Sequence, residues 1–208
     1  MTQLASNMVT PWDARYAVPD YIFGTAPNQF LASQASRLQP GQSVLAVADG
    51  EGRNGVWLAQ QGLQVHAIDS SCVAQDKARK LAAERGVTLD IECVDLLTWA
   101  WPKNHYDVIA AIFIQFVSPA ERARQFAGMR QALKPGGLLI LQGYTPRQIE
   151  YGTGGPSAVE NLYTEDWLRQ AFGDWEILQL HAHDDVIDEG SHHSGMSALI
   201  DLVARKPG

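Results

Sequence analysis

Residues 43–69 read SVLAVADGEGRNGVWLAQQGLQVHAID. Val44 to Ala48 is an apolar run of the length and branching expected of a buried strand. Gly50-Glu51-Gly52-Arg53-Asn54-Gly55 follows as a glycine-rich turn. Val56, Trp57, Leu58 and Ala59 then open a helical stretch, which Gly62 ends. A second apolar run, Val65 to Ile68, stops at Asp69.

Strand, glycine turn, helix, strand and acid, in that order, predict a nucleotide-binding βαβ unit. Gly50 and Gly52 lack a Cβ, so the backbone can turn sharply and approach a ligand closely. The helix that follows points unpaired N–H groups into the same space. Asp69 lies nineteen residues after Gly50, at the carboxyl end of the neighbouring strand, with Ser70 beside it. A carboxylate there can accept both hydroxyls of a ribose. Two cofactor classes fit, nicotinamide dinucleotides and S-adenosyl-L-methionine.

The 208 residues suit one α/β domain, with 46 % apolar and 19 % charged residues. A formal net charge of −7 argues against a general affinity for nucleic acid or for anionic membranes. The basic stretch Lys77-Ala78-Arg79-Lys80 reads as a solvated helix face. No apolar run is long enough to span a bilayer, and MTQLASNMVT has neither the basic start nor the apolar core of a signal peptide. Cys72 and Cys93 make neither a disulfide framework nor a zinc site; they read as two buried thiols in a reducing cytoplasm.

Outward from the central unit, residues 1–10 read as a frayed terminus. Residues 11–30 carry Trp12, Tyr16, Tyr21, Phe23 and Phe30, which either pack on the sheet edge or fold over a ligand as a lid. Pro27 starts a helix that Asn28 to Leu38 continues. After Asp69, Ser70-Ser71 caps a helix from Cys72 to Arg85. Strands follow at Thr88 to Val94, ending at Asp95, and at Tyr106 to Ile114. Ser118-Pro119-Ala120-Glu121 is a capping box opening a helix that Lys134-Pro135-Gly136-Gly137 breaks. Leu138 to Gln142 makes a fifth strand, residues 143–163 a long polar stretch, and Thr164 caps a short helix. Trp175 to Leu180 and Ala198 to Ala204 read as two final strands, antiparallel because no crossover helix fits between them.

The whole pattern resembles the class I S-adenosylmethionine-dependent methyltransferases, and within them the TehB-type and thiopurine-methyltransferase-like enzymes. The resemblance rests on WDARY at 12–16, YIFGTAPNQFL at 21–31, DGEGRNGVWLA at 49–59, LKPGGLLIL at 133–141, LYTEDWLRQAF at 162–172 and the EGSHHSG tail. It implies a Rossmann-like three-layer αβα sandwich with a mostly parallel seven-stranded sheet and an antiparallel last strand. One domain would span 1–208, with an N-terminal lid and helix segment over 1–40 and the core over 41–208. The family positions imply that Gly50 and Gly52 hold the methionyl part of the cofactor and Asp69 the ribose. Asp95 and Leu96 would contact adenine, and Ile112 to Phe116 would face cofactor and acceptor. Tyr21, Gly24 and Asn28 would fold over the cofactor. The sequence departs from the family where VLAVADG replaces VLDLGCG: Ala46 and Ala48 stand for the acid and a glycine, and Asp49 either restores a carboxylate near the methionyl ammonium or does not.

A methyltransferase for a small acceptor is the reading this supports, with a thiol or a tellurite-resistance-like metalloid oxyanion as the implied acceptor and the cytoplasm as the location. Phe113-Ile114-Gln115-Phe116 is no Asn-Pro-Pro-Tyr tetrapeptide, which weighs against methylation of nucleic-acid bases or protein amides. His193, before the last strand, is the candidate catalytic group, as a weak base or a positive contact; its alternative is a solvated loop histidine. Gly50-x-Gly52-x-x-Gly55 also fits a nicotinamide oxidoreductase, though little chain remains for a second substrate domain. His181, His183, His192 and His193 near Asp184, Asp185, Asp188 and Glu189 raise a metal-binding module; their spacing matches no standard zinc motif, and no metal is expected. A cofactor-binding protein without catalysis is the remaining alternative.

Overall fold

The computed structural model describes residues 10–190 and 193–208. The frayed terminus expected at the start, apart from Thr10, lies outside them. Seven strands form one sheet: β1 (Ser43–Val47), β2 (Gln64–Asp69), β3 (Asp90–Cys93), β4 (Tyr106–Ile112), β5 (Leu133–Tyr144), β6 (Glu176–Asp188) and β7 (Ser194–Arg205). Their order is β3-β2-β1-β4-β5-β7-β6. β7 runs antiparallel to both its neighbours, and the other pairs are parallel. The chain reverses direction across the sheet between β1 and β4. Brändén's rule for open α/β sheets places a ligand outside the carboxyl ends of the strands at such a point.

The helices are α1 (Pro11–Tyr16), α2 (Gln29–Ser33), α3 (Arg53–Gln60), α4 (Cys72–Glu84), α5 (Pro119–Ala132), α6 (Gln148–Tyr151) and α7 (Glu165–Phe172). β1 and β4 are apolar on both sides because each faces a separate core. Leu45, Val47, Ile109 and Ala111 pack with Phe126 and Met129 of α5 and Leu168 and Phe172 of α7. Val44, Ala46, Val108 and Ala110 pack with Phe30 and Leu31 of α2 and Leu58 of α3. Each fully buried Leu, Ile or Phe contributes about 1.5–3 kcal/mol, so the two layers hold the parallel strands in place. The Ser118 capping box and the Thr164 cap form as the sequence predicts.

Several expectations are corrected. Asn28 to Leu38 is not one helix: α2 ends at Ser33 and a 3₁₀ turn, Ala35–Arg37, follows. Ser33 Oγ bonds back to the Phe30 carbonyl, an alternative the backbone takes in place of a further helical turn. α1, with Thr10 and Asp13 as a reciprocal capping box, was not foreseen. β5 begins at Leu133, before Lys134-Pro135-Gly136-Gly137, with a register shift against β4. The final strands run as one long hairpin, β6 to β7, so His181 and His183 stand on a strand and not in a loop.

Two corrections are chemical. Cys72 and Cys93 are joined in a disulfide, with Cα atoms 5.2 Å apart, tying the first residue of α4 to the last of β3. The expectation of two free thiols fails because β2 ends at Asp69 beside Cys93, and the short turn into α4 brings Cys72 back over that end of β3. Lys77 is no solvated residue: the inward turn of α4 buries it, and its Nζ donates to Glu51 Oε1 at 2.5 Å, to the Asp20 carbonyl at 2.7 Å and to the Tyr16 carbonyl at 3.3 Å.

Candidate active site

A cavity opens where β1, β2 and β4 end. Its floor is the glycine turn, residues 48–51 with Arg53 and Asn54, and Asp69, Ser70, Leu96, Ile112 and Phe113 complete the sheet side. The roof is Trp12 and Tyr16 of α1 with Phe23 and Gly24. A second cavity, of about 310 Å³, adjoins it and shares Trp12, Phe23, Phe113, Phe116 and His193.

The turn is built by its own polar groups. Asp49 accepts the Gly55 N–H with both carboxylate oxygens, at 3.0 and 3.2 Å. Burial pushes its carboxyl up to about 7, against the Gly55 N–H and with the Asp69 charge adding to the rise. Asp69 accepts the Gly50 N–H at 2.9 Å on one oxygen and the Ser71 N–H at 2.8 Å on the other. Burial raises it to about 6, opposed by those two N–H groups. Each oxygen keeps a second lone pair for a ligand hydroxyl. Gly50 is needed at φ +56 because a Cβ there would meet Tyr16 Oη at 2.8 Å.

Ala48 (φ 52) and Phe113 (φ 55) hold left-handed conformations that cost a residue with a Cβ about 1–2 kcal/mol. Both line the first cavity, at the ends of adjacent strands. Strain of this kind persists where the surroundings fix it, and it gathers at sites of function.

One buried network joins distant parts of the chain. Arg53 Nη2 donates to Glu189 Oε2 at 2.7 Å. Asn28 Nδ2 donates to Gln142 Oε1 at 2.6 Å and to Glu189 Oε1 at 3.0 Å, and the Gln29 N–H reaches the same oxygen at 3.1 Å. Gln142 Nε2 continues to Asp201, which pairs with His183 at 3.0 Å. Burial alone would raise Glu189, but His193 and the Arg53 guanidinium hold it down to about 2, so it stays a carboxylate. Arg53 Nη1 is buried with no hydrogen-bond partner, in a residue that lines the first cavity.

Of the residues predicted for the cofactor, Asp49, Gly50, Asp69, Ser70, Leu96, Ile112 and Gly24 line the first cavity together with His193. Four do not. Gly52, at φ +88, caps α3 and faces α4, where a Cβ would fall 2.6 Å from that of Ala78. The Asp95 carboxylate accepts from the Leu97 N–H and the Thr98 hydroxyl within its own turn. Tyr21 donates to the Lys77 carbonyl on α4, and Asn28 caps α2 inside the buried network. Arg53, Glu51 and Asn54 were unassigned although they sit within the motif. The Glu189 partnership has no local signal, since 136 residues separate it from Arg53. Among the described residues, no group of three or more His, Cys, Asp or Glu is placed to hold a metal ion.

Residues 44–137 match the family model of a methyltransferase domain. The chain is 94 % covered at TM-score 0.76 and 18 % identity by a structure, itself 90 % covered, solved for the conversion of a disulfide bond into a thioacetal group during echinomycin biosynthesis. The fold is that of the class I methyltransferases. TehB from Haemophilus influenzae shares it at TM-score 0.72 and 17 % identity, over 88 % of this chain and 63 % of that one. Hemagglutinin 1 of Eikenella corrodens is 24 % identical over 166 residues, 76 % of this chain and 53 % of the relative. The chain spans 38 % to 53 % of the length of the curated relatives it matches. No helix among the described residues is long and apolar enough to cross a membrane.

Proposed function

We propose that the chain is an S-adenosyl-L-methionine-dependent methyltransferase for a small-molecule acceptor. The observation that carries this is the pair of adjoining cavities at the carboxyl ends of β1, β2 and β4, one with the Asp69 carboxylate and the glycine turn, the other walled by aromatic rings. The first suits the cofactor part by part. Asp69 has lone pairs free for the ribose hydroxyls; Asp49 suits the ammonium and the unpartnered Arg53 Nη1 the carboxylate of the methionyl tail; Ala48, Leu96 and Ile112 suit the adenine face. The cofactor supplies a methyl group already activated by its sulfonium. The protein's part is to orient the acceptor and exclude water.

The first cavity encloses only about 100 Å³ because Tyr16 reaches over Gly50, so α1 moves outward as the cofactor binds. Residues 10–28 act as the lid. Hydrogen exchange that is slower over 10–28 with bound S-adenosylhomocysteine supports this; equal exchange with and without it makes the segment packing only. Calorimetry with S-adenosylhomocysteine and with NADH separates this reading from an oxidoreductase, and binding of NADH alone would overturn it.

The resemblance points to a thiol or a metalloid oxyanion as acceptor, in the manner of tellurite resistance. A screen over thiols, oxyanions and phenols, read as release of S-adenosylhomocysteine, tests it. In the cytoplasm, the proposed location, the Cys72–Cys93 bond has to hold against cellular thiols; alkylation in freshly lysed cells reads this directly.

A further inference from the structure

The Cys72–Cys93 bond stands beside the candidate cofactor site without entering it. The chain has two cysteines, and both are in this bond. Neither lines the first cavity. Cys93 pairs across the sheet with Asp69, the last residue of β2, and its Sγ lies 3.7 Å from the Ser70 carbonyl oxygen. Cys72 opens α4. The bond therefore closes a short bridge, Asp69-Ser70-Ser71-Cys72, onto the strand beside which the bridge begins. Cys72 is exposed and Cys93 half-buried, so the bond lies where a reductant in solvent can reach it.

That bridge carries two parts of the site. The Ser71 N–H donates to Asp69 Oδ1 at 2.8 Å and is one of the two N–H groups that fix the carboxylate. Ser71 Oγ accepts the Ala74 N–H at 3.1 Å as the cap of α4, and it donates to Asp13 Oδ1 of α1 at 2.6 Å. Tyr16 and Ile22 of the N-terminal segment pack on Ala74, in the first turn of the same helix. Ser70 itself lines the cavity. Four residues thus hold the Asp69 carboxylate from one side and seat the roof of the cavity from the other. A domain of this length with two buried layers does not need a covalent staple for its core. In a reducing compartment a disulfide is characteristically transient and redox-sensing.

We propose that the Cys72–Cys93 pair is a redox switch on cofactor binding: the closed bond holds the 69–72 bridge in its binding arrangement, and a dithiol reductant opens the bond and lowers affinity. In the exchange, a thiolate of the reductant attacks one sulfur of the bond, and the other cysteine sulfur leaves as a thiolate. The second thiolate of the reductant then attacks its own sulfur in the mixed disulfide and releases the first cysteine. Two electrons pass to the cysteine pair, which ends as two thiols carrying the two protons of the dithiol, and the reductant ends as a disulfide. Exchange with an oxidised dithiol runs the same steps backward. The β2–β3 ladder and the packing of Leu81 and Ala82 of α4 do not use the sulfurs, so the fold persists in both states. What changes is the fraction of molecules in which Ser71 meets both Asp69 and Asp13. Apparent affinity scales with that fraction, so a bridge ordered about one-tenth of the time binds about tenfold more weakly. This rests on the first cavity being the cofactor site.

The test is calorimetry with S-adenosylhomocysteine on the oxidised full chain and on the same protein held in dithiothreitol without denaturant. Mass spectrometry after alkylation counts the free thiols, and circular dichroism sets a temperature at which both forms are folded. Two thiols should appear in the folded protein, and affinity should fall about tenfold. It should return when oxidised dithiothreitol closes the bond again. A bond that dithiothreitol opens only after unfolding overturns the switch. Cys72→Ser/Cys93→Ser should bind as weakly as the reduced protein and be indifferent to dithiothreitol; affinity equal to that of the oxidised wild type overturns the proposal. Should the double variant not fold, the reduced wild type supplies the same comparison. A bond that only adds stability leaves the affinity of folded protein unchanged. Equal affinity in the oxidised and reduced protein therefore overturns the proposal and leaves the methyltransferase reading standing, whereas binding to neither form overturns both.

Discussion

Removing the Lys77 ammonium tests how the N-terminal segment is held on the glycine turn. Lys77→Met keeps the length of the side chain on α4 and deletes its charge. Glu51, 3 % exposed, then loses its ion partner at 2.5 Å, and the carbonyls of Tyr16 and Asp20 lose a donor. Stripping one member from a buried pair costs about 3–5 kcal/mol, because the remaining charge is left without compensation. Against a total stability of about 5–15 kcal/mol, that is a large fraction. Urea denaturation should show the midpoint falling accordingly with the slope unchanged. The double variant Glu51→Gln/Lys77→Met carries no orphaned charge and should recover most of the loss, to within about 1–2 kcal/mol of the wild type. Hydrogen exchange over residues 10–28 should be faster in both variants, since both lack the tie between α4 and that segment. A loss below about 1 kcal/mol in the single variant, or a double variant no better than the single, would refute the reasoning.

Asp69→Asn should weaken S-adenosylhomocysteine binding about tenfold to a hundredfold while the fold persists, from the loss of charge-assisted bonds to the ribose, as read by calorimetry. With Asp69 at about 6, wild-type affinity should rise about tenfold from pH 5 to pH 8 as the carboxylate ionises, and that rise should vanish in Asp69→Asn. Stability of the free protein has the opposite sign: Asp49 and Asp69 hold protons when folded that the unfolded chain has released, so thermal stability should fall between pH 5 and about 7. Replacing Cys72 and Cys93 by serine opens a loop of 21 residues and should cost about 3 kcal/mol in a denaturant titration, with no change of sheet topology. Gly52→Ala should cost about 3 kcal/mol or more, because the left-handed backbone disfavours alanine and the new methyl meets the α4 backbone at 2.9 Å; a loss under 1 kcal/mol would show that α4 yields freely.

The parallel sheet was legible in the sequence because β1, β2 and β4 are short apolar runs and Thr88 to Val94 alternates, with Asp49, Asp69 and Asp95 at or just after the ends of the first three strands. The caps of α4, α5 and α7 were legible because Ser71, Ser118 and Thr164 act within three residues of themselves. What failed was non-local. Lys77 read as solvated because helix periodicity does not say which face the N-terminal segment covers. The long β6–β7 hairpin was cut short because Asp184, Asp185 and Asp188 look like loop residues, yet cross-strand pairing with Ser194 to Ala198 holds them extended. Asp69 was assigned from its place at a strand end, and it faces the cavity. Asp95 was assigned only from the family resemblance, and its own turn uses its carboxylate. Glu189 was read only as a possible metal ligand, and its buried pairing was not legible because its partners, Asn28 and Arg53, lie 161 and 136 positions away.

The tip of that hairpin touches the N-terminal segment backbone to backbone. A Cβ on Gly190 would fall 2.5 Å from the Gly24 nitrogen and 2.6 Å from the Ile22 carbonyl oxygen. The N-terminal segment and the β6–β7 hairpin therefore meet at Gly24 and Gly190 with no side chain between them, and the ring of His193 packs on Phe23 at that seam. Loop-closure entropy has to be met across most of the chain before this contact forms, and nothing local rewards it earlier. The sheet should then assemble before this seam, with the candidate site completed late in folding. By the same argument, residues near Gly24 and Gly190 should leave unfolding rates sensitive and folding rates insensitive to mutation, so the seam governs how long the site survives once made.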